Sequence, residues 1–169
     1  MALIKPVRGI TPKFGEDCWF AENATIVGEV EMGDQCTVWF NAVVRGDVHY
    51  IRIGNKTNIQ DNATIHGTFE KAPTNIGNGV SIGHNAIVHG CTLKDGVLIG
   101  MGAIVMDNAV VEEGAIVAAG AVVLQNTIVE ANTIYAGVPA KKVKTVGPEN
   151  REMQSRIANN YIKYAGWFK

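Results

Sequence analysis

Of the four histidines in the 169-residue chain, three, His66, His84 and His89, stand among apolar and glycine residues where little else could do chemistry. Imidazole is the commonest metal ligand, and three imidazoles with an open fourth position make a zinc site catalytic rather than structural. The stretch SIGHNAIVHG, residues 81–90, resists that reading at first. On a strand, side chains alternate faces, so a five-residue gap sends His84 and His89 to opposite sides. Either the two are unrelated, or the elements that carry them turn a corner, or the site is assembled from more than one chain.

Composition leaves room for small-molecule chemistry and little else. The chain is 47% hydrophobic and 18% charged with a formal net charge of -1, enough apolar material for one well-filled domain. Its Lys and Arg residues are scattered, and the one dense cluster, AKKVK at 140–144, is too short to make a footprint on phosphates, which excludes nucleic acid as a partner. The opening MALIKPVRGI is broken by Lys5 and Pro6, so it lacks the apolar core of a signal peptide. No window reaches membrane-spanning length. The expectation is a cytoplasmic protein without a membrane partner. Cys18, Cys36 and Cys91 form no CxxC pair and read as reduced thiols, the last two as small buried residues.

An internal repeat organises the chain. An apolar residue recurs every six positions at Phe20, Ile26, Met32, Val38 and Val44, at Ile53, Ile59 and Ile65, at Ile76, Ile82 and Val88, and then without interruption from Leu93 to Tyr135. Four residues after each mark stands a small or β-branched residue, with Phe69 and Pro139 the exceptions and Val48 and Thr92 among those that comply. This period suits neither a helix nor a flat strand; it suits a short strand followed by a tight corner. Three units close a triangle, so the reading is a parallel β-helix over 20–140, of about six coils and about 30 Å tall at the sheet spacing. Residues 1–19 read as an extended lead-in that covers the first coil. Residues 148–166 switch to helical spacing through Met153, Ile157, Tyr161 and Tyr164, with Pro148 at the first position and Gly166 as a stop.

The repeat gives every side chain a coordinate. Arg45, His66 and His89 each follow an inward mark and lie three units apart, so they stack on one face, with His66 and His89 about 4.8 Å apart. Asp61 and His84 stack at the adjacent corner. Their register makes His84 a poor partner for His89 within one chain and a good one for a neighbour in a closed three-fold ring. His49, in DVHYIR, reads as a surface residue.

RGD at 45–47, NIQD at 58–61, His66 and the HNAIVH spacing from His84 to His89 resemble the γ-class carbonic anhydrases and their hexapeptide-repeat relatives. The resemblance covers nearly the whole chain. It implies a left-handed β-helix and a homotrimer, with zinc held by His66 and His89 of one subunit and His84 of the next; iron or cobalt can replace zinc in the family. The implied reaction is the reversible hydration of carbon dioxide to bicarbonate by metal-bound hydroxide. Gln60 takes the family position that hydrogen-bonds the metal-bound water, with Asn58 beside it. Arg45 with Asp47 and Asp61 resembles an ion-pair set across the subunit boundary. Tyr161, on the terminal helix, could reach the pocket, with core packing as the competing role.

The sequence departs from the archaeal type of that family, which carries glutamates where Phe69 and Val48 stand here. The loop HGTFEKAPTN has only Glu70 as an acid, so fast proton relay is not expected and turnover is expected to be slow. The same scaffold hosts two other readings: an acyl-CoA transferase or thioesterase with His84 or His89 as base, and a non-catalytic metal-binding trimer that supports another enzyme.

Overall fold

The computed structural model describes residues 1–168. The six-residue marks become the inward rows of a left-handed parallel β-helix of about seven turns with a single C-terminal helix. On the first face Ile26, Val44, Ile65, Val88, Val105 and Val123 pair in register from coil to coil, and all are fully buried. Met32, Ile53, Ile76, Leu93, Val111 and Val129 line the second face. Val38, Ile59, Ile82, Ile99, Val117 and Tyr135 line the third. Each large aliphatic side chain removed from water contributes about 1.5–3 kcal/mol, and the rows meet along the axis as one continuous core.

The corner between the third and first faces is regular. There the chain turns through Asn41, Asn62 and Asn85, whose φ angles are 59°, 60° and 59°, a left-handed conformation that a short polar side chain tolerates. The small residues Ala42, Ala63 and Ala86 fill the inside of the bend. Asp61 and His84 stand at this corner on adjacent coils, where the Asn85 amide donates to the Asp61 carbonyl at 2.9 Å.

The corner between the first and second faces collects all three interruptions of the repeat, on successive coils. The strand Val43–Ile53 runs across it with a bulge, pairing Gly46 with Gly28 and then Ile51 with Val30. Ile51 next pairs with Thr74, and Cys91 lies beside Thr74 because Thr92 pairs with Asn75. The inside of this bend is therefore filled by Val30, Ile51, Thr74 and Cys91, all buried, and not by Val48, Phe69 and Thr92. The ladder returns to register wherever a side chain of the right size can fill the corner, and the surplus residues loop outward. Phe69 is half exposed as a result, its ring under the Arg8 guanidinium.

Leu3–Lys5 and Lys13–Phe14 pair in parallel with Thr25–Val27 and Glu31–Met32. Residues before 20 therefore build a coil of their own, which accounts for the seventh turn. At the other end Thr133–Ala136 pairs antiparallel with Lys141–Thr145, and the helix Pro148–Ala165 lies along the third face. Met153, Ile157, Tyr161 and Tyr164 are only half-buried. Gln154 is buried more deeply and donates through Nε2 to the carbonyls of Gly96 and Gly114 at 2.9 and 3.2 Å. Among the described residues, no helix is long and apolar enough to cross a membrane.

Candidate metal centre

The first face carries His66 and His89 side by side, since Ile65 pairs with Val88 and His66 with His89. Their rings lie 5.2 Å apart, with His66 Nδ1 3.2 Å from His89 Nε2. Each ring leans on a carboxylate through its other nitrogen. His66 Nε2 is 3.0 Å from Asp47 Oδ1 and His89 Nδ1 is 2.5 Å from Asp107 Oδ1. An ionised carboxylate only accepts hydrogen bonds, so it places the proton on the nitrogen that faces it. The lone pairs left over are those of His66 Nδ1 and His89 Nε2, the two atoms that face each other. At 3.2 Å two such lone pairs repel, and a cation beside both converts repulsion into ligation. With zinc–nitrogen bonds of about 2.0–2.1 Å, two imidazole nitrogens of a tetrahedral site stand roughly 3.3–3.4 Å apart. The observed separation fits.

The surrounding charges hold this state. Burial alone raises the Asp47 carboxyl, but hydrogen bonds from Arg45 and His66 outweigh it and keep the acid below its usual range. Asp107 behaves alike: burial is outweighed by hydrogen bonds from Thr68 and His89. Burial lowers the His66 imidazole below the ordinary histidine value despite the Asp47 carboxylate, and the Arg45 charge adds to the effect. Arg45 Nη1 donates to Asp47 Oδ2 at 2.6 Å, while Nη2, which can only donate, stands 3.3 Å from the His66 Nδ1 lone pair and would have to yield it to a metal. Arg45, Asp47 and His66 thus form one hydrogen-bonded chain.

His84 stands apart from this pair, on the regular corner. Its Nδ1 meets Asp61 Oδ2 at 2.8 Å, and its Nε2 lies 3.4 Å from the Tyr161 hydroxyl. Asp61 is therefore paired with His84 here, and the chain does not join it to Arg45. Burial, then the Asp61 charge, then Tyr164 push the Tyr161 hydroxyl up to about 12, so it is a donor at neutral pH. Tyr161 both packs edge-on against Trp39 at 5.2 Å and reaches a candidate ligand. Beside His84 runs an open groove of about 250 Å3, lined chiefly by Gln60, Leu98, Met101, Ile157 and Tyr161. Gln60 Nε2 donates to Asn58 Oδ1 at 3.0 Å, and Asn58 Nδ2 donates to Ser81 Oγ at 2.8 Å. His49 turns its Nδ1 to the Tyr50 amide.

Among the described residues, no group of three or more histidine, cysteine, aspartate or glutamate side chains gathers to hold a metal within one chain. Two imidazoles converge and the third faces elsewhere. Sequence reasoning missed Asp107, Thr68 and Ser81. Asp107 carried a signal, since it follows Val105 by two residues, as Asp61 follows Ile59 and His84 follows Ile82. Thr68 lies in an irregular loop that the repeat does not index.

A parallel β-helix of six-residue units defines a hexapeptide-repeat protein, and three of its imidazoles, His66, His84 and His89, are set against carboxylates. Residues 90–125 match the family model "Bacterial transferase hexapeptide (six repeats)". The chain is 36% identical over 167 residues to a carbonic anhydrase of Geobacillus kaustophilus, covering 99% of this chain and 91% of that one. It is 39% identical to the mitochondrial gamma carbonic anhydrase 2 of Arabidopsis thaliana, covering 92% of this chain and 58% of the plant protein. Among solved structures, a hexapeptide transferase family protein from Anaplasma phagocytophilum superposes with a TM-score of 0.94 at 38% identity, covering 99% of this chain and 98% of that one. The chain belongs to the γ-carbonic-anhydrase-like family of hexapeptide-repeat proteins.

Proposed function

We propose that the protein is a zinc-dependent carbonic anhydrase of the γ-like group that acts as a homotrimer. The observation that carries the reading is the convergence of His66 Nδ1 and His89 Nε2 at 3.2 Å, with each opposite nitrogen held by a carboxylate. His84, presented at a different corner with its own aspartate, supplies the third ligand to a neighbouring subunit, so each site lies at a boundary between chains. A zinc ion held by three imidazoles supplies a water whose pKa is lowered towards about 7.

The chain's own side chains orient the reactants. Gln60, with its amide nitrogen engaged by Asn58, has its carbonyl oxygen left to accept from a water. The Ser81–Asn58–Gln60 series fixes that amide. Leu98, Met101 and Ile157 offer an apolar wall suited to an uncharged substrate such as carbon dioxide, and bicarbonate leaves towards solvent. Arg45, tied to Asp47, braces the boundary from the His66 side. The proton leaves without an acidic relay at position 69, since Phe69 occupies it, and transfer to buffer limits turnover.

The groove beside His84 also supports a second reading, acyl-group transfer or thioester hydrolysis with His84 as base, in keeping with the transferase name of the Anaplasma structure. Metal analysis of protein purified without added zinc, together with stopped-flow hydration of carbon dioxide and an acyl-CoA consumption assay, separates the two. Zinc near one ion per chain with hydration activity is expected. A metal-free preparation that consumes acyl-CoA refutes the carbonic anhydrase reading.

A further inference from the structure

Two of the shortest polar contacts near the histidines belong to a residue outside the family motif. Asp107 Oδ1 meets His89 Nδ1 at 2.5 Å, and the other carboxylate oxygen accepts from Thr68 Oγ1 at 2.5 Å. We propose that Asp107, gripped by Thr68 across the irregular corner, is a positioning residue that fixes the tautomer and the angle of His89 so that Nε2 is presented to the metal. The inference rests on the metal-centre reading above and deepens it.

The fold is shaped to allow the contact. Leu93 follows Val88 by five positions, one fewer than the repeat, and the shortened turn passes through Gly90 at φ +55°. A Cβ at Gly90 would stand 2.6 Å from Asp107 Oδ1 and 2.8 Å from the Ala72 Cβ. The missing side chain is what lets the carboxylate lie against the His89 ring. Two backbone bonds pin the same place: the Asn108 amide donates to the Gly90 carbonyl at 2.7 Å, and the Gly90 amide to the His66 carbonyl at 3.0 Å. Thr68 is delivered by the loop, whose turn closes through a Thr68–Ala72 bridge. The carboxylate is thus held from two sides, and the imidazole it faces cannot present Nδ1 to anything else. Outer partners of this kind are worth about 10–100-fold in metal affinity.

The test compares wild type with Asp107→Ala, Asp107→Asn and Thr68→Val, each checked for native circular dichroism. Zinc affinity is measured by chelator competition, and the histidine tautomers of metal-free protein by nitrogen-15 NMR. In wild type, His89 is expected as the Nδ1–H form. Asp107→Ala should mix the tautomers and weaken zinc by about 10–100-fold. Asp107→Asn, whose carbonyl still accepts from Nδ1–H, should recover most of the loss, a rescue that a merely structural role would not produce. Wild type that binds zinc while Asp107→Ala binds equally well overturns the positioning role alone. Wild type that binds no zinc overturns the metal centre and the role with it.

Discussion

Separate placement of His84 from the His66–His89 pair makes a numerical prediction. On the proposed shared site, His66→Ala removes the paired half and His84→Ala the other half. A homotrimer of either variant then has no complete site. In a ring where each boundary takes the pair from one chain and His84 from the next, random assembly of equal amounts makes about three quarters of the trimers mixed, each with one intact boundary. Zinc content should therefore recover to about a quarter of the wild-type value. The two variants, carrying different affinity tags, are unfolded and refolded together, and double-tagged trimers are assayed for bound zinc and for carbon dioxide hydration. Mixed trimers should hold about one zinc each. A value of zero in well-folded mixed trimers refutes the shared site, and a His84→Ala homotrimer that keeps its full zinc shows that His84 is no ligand.

Three further outcomes follow from the geometry. Phe69→Glu places a carboxylate at an exposed loop position, and should raise turnover in weak buffer while leaving it unchanged in strong buffer; no difference in either refutes proton transfer as the limit. Tyr161→Phe removes the hydroxyl that donates to His84 Nε2 at 3.4 Å, onto the lone pair a zinc would need, but keeps the ring against Trp39, so zinc affinity by chelator competition should rise by about 2- to 12-fold, the worth of one hydrogen bond, with thermal stability preserved. Finally, the neighbouring Cys36 thiol, against the effect of burial, lowers the Cys18 thiol to about 7, whereas burial pushes Cys91 up to about 12. Iodoacetamide should therefore label Cys18 first, its rate rising as pH climbs through about 7, and Cys36→Ala should move that rise to higher pH.

The histidine positions were legible because a strict repeat converts sequence distance into height and face. His66 beside His89, and Asp61 beside His84, follow from counting units of six. The count fails where the chain does not keep six. It assigned Val48 and Phe69 to a corner that Ile51 and Thr74 fill, because a bulge leaves the ladder by one residue and returns by another that no local pattern marks. It also placed helical residues by apolar spacing alone and so overlooked Gln154, whose burial is set by two carbonyls of the β-helix rather than by hydrophobicity. Thr68 was invisible for the same reason, since its partner lies 39 residues away across a loop of irregular length.

Confining every irregular unit to one edge separates two demands that usually conflict. The core sees a stack of Ile, Val and Leu closed by Met32 and Tyr135, while the outer edge beside His66 and His89 tolerates spacings of nine, eleven or five positions between successive marks. Lengthening an already flexible loop there costs only about 0.6 kcal/mol for each doubling, a small sum against the stacked rows. That edge is a place where chain length can vary without penalty to the frame. Acids, bases or bulk can be brought to the mouth of the site by insertion alone, and the 66–75 segment is the natural position at which to graft a new proton carrier or a new specificity.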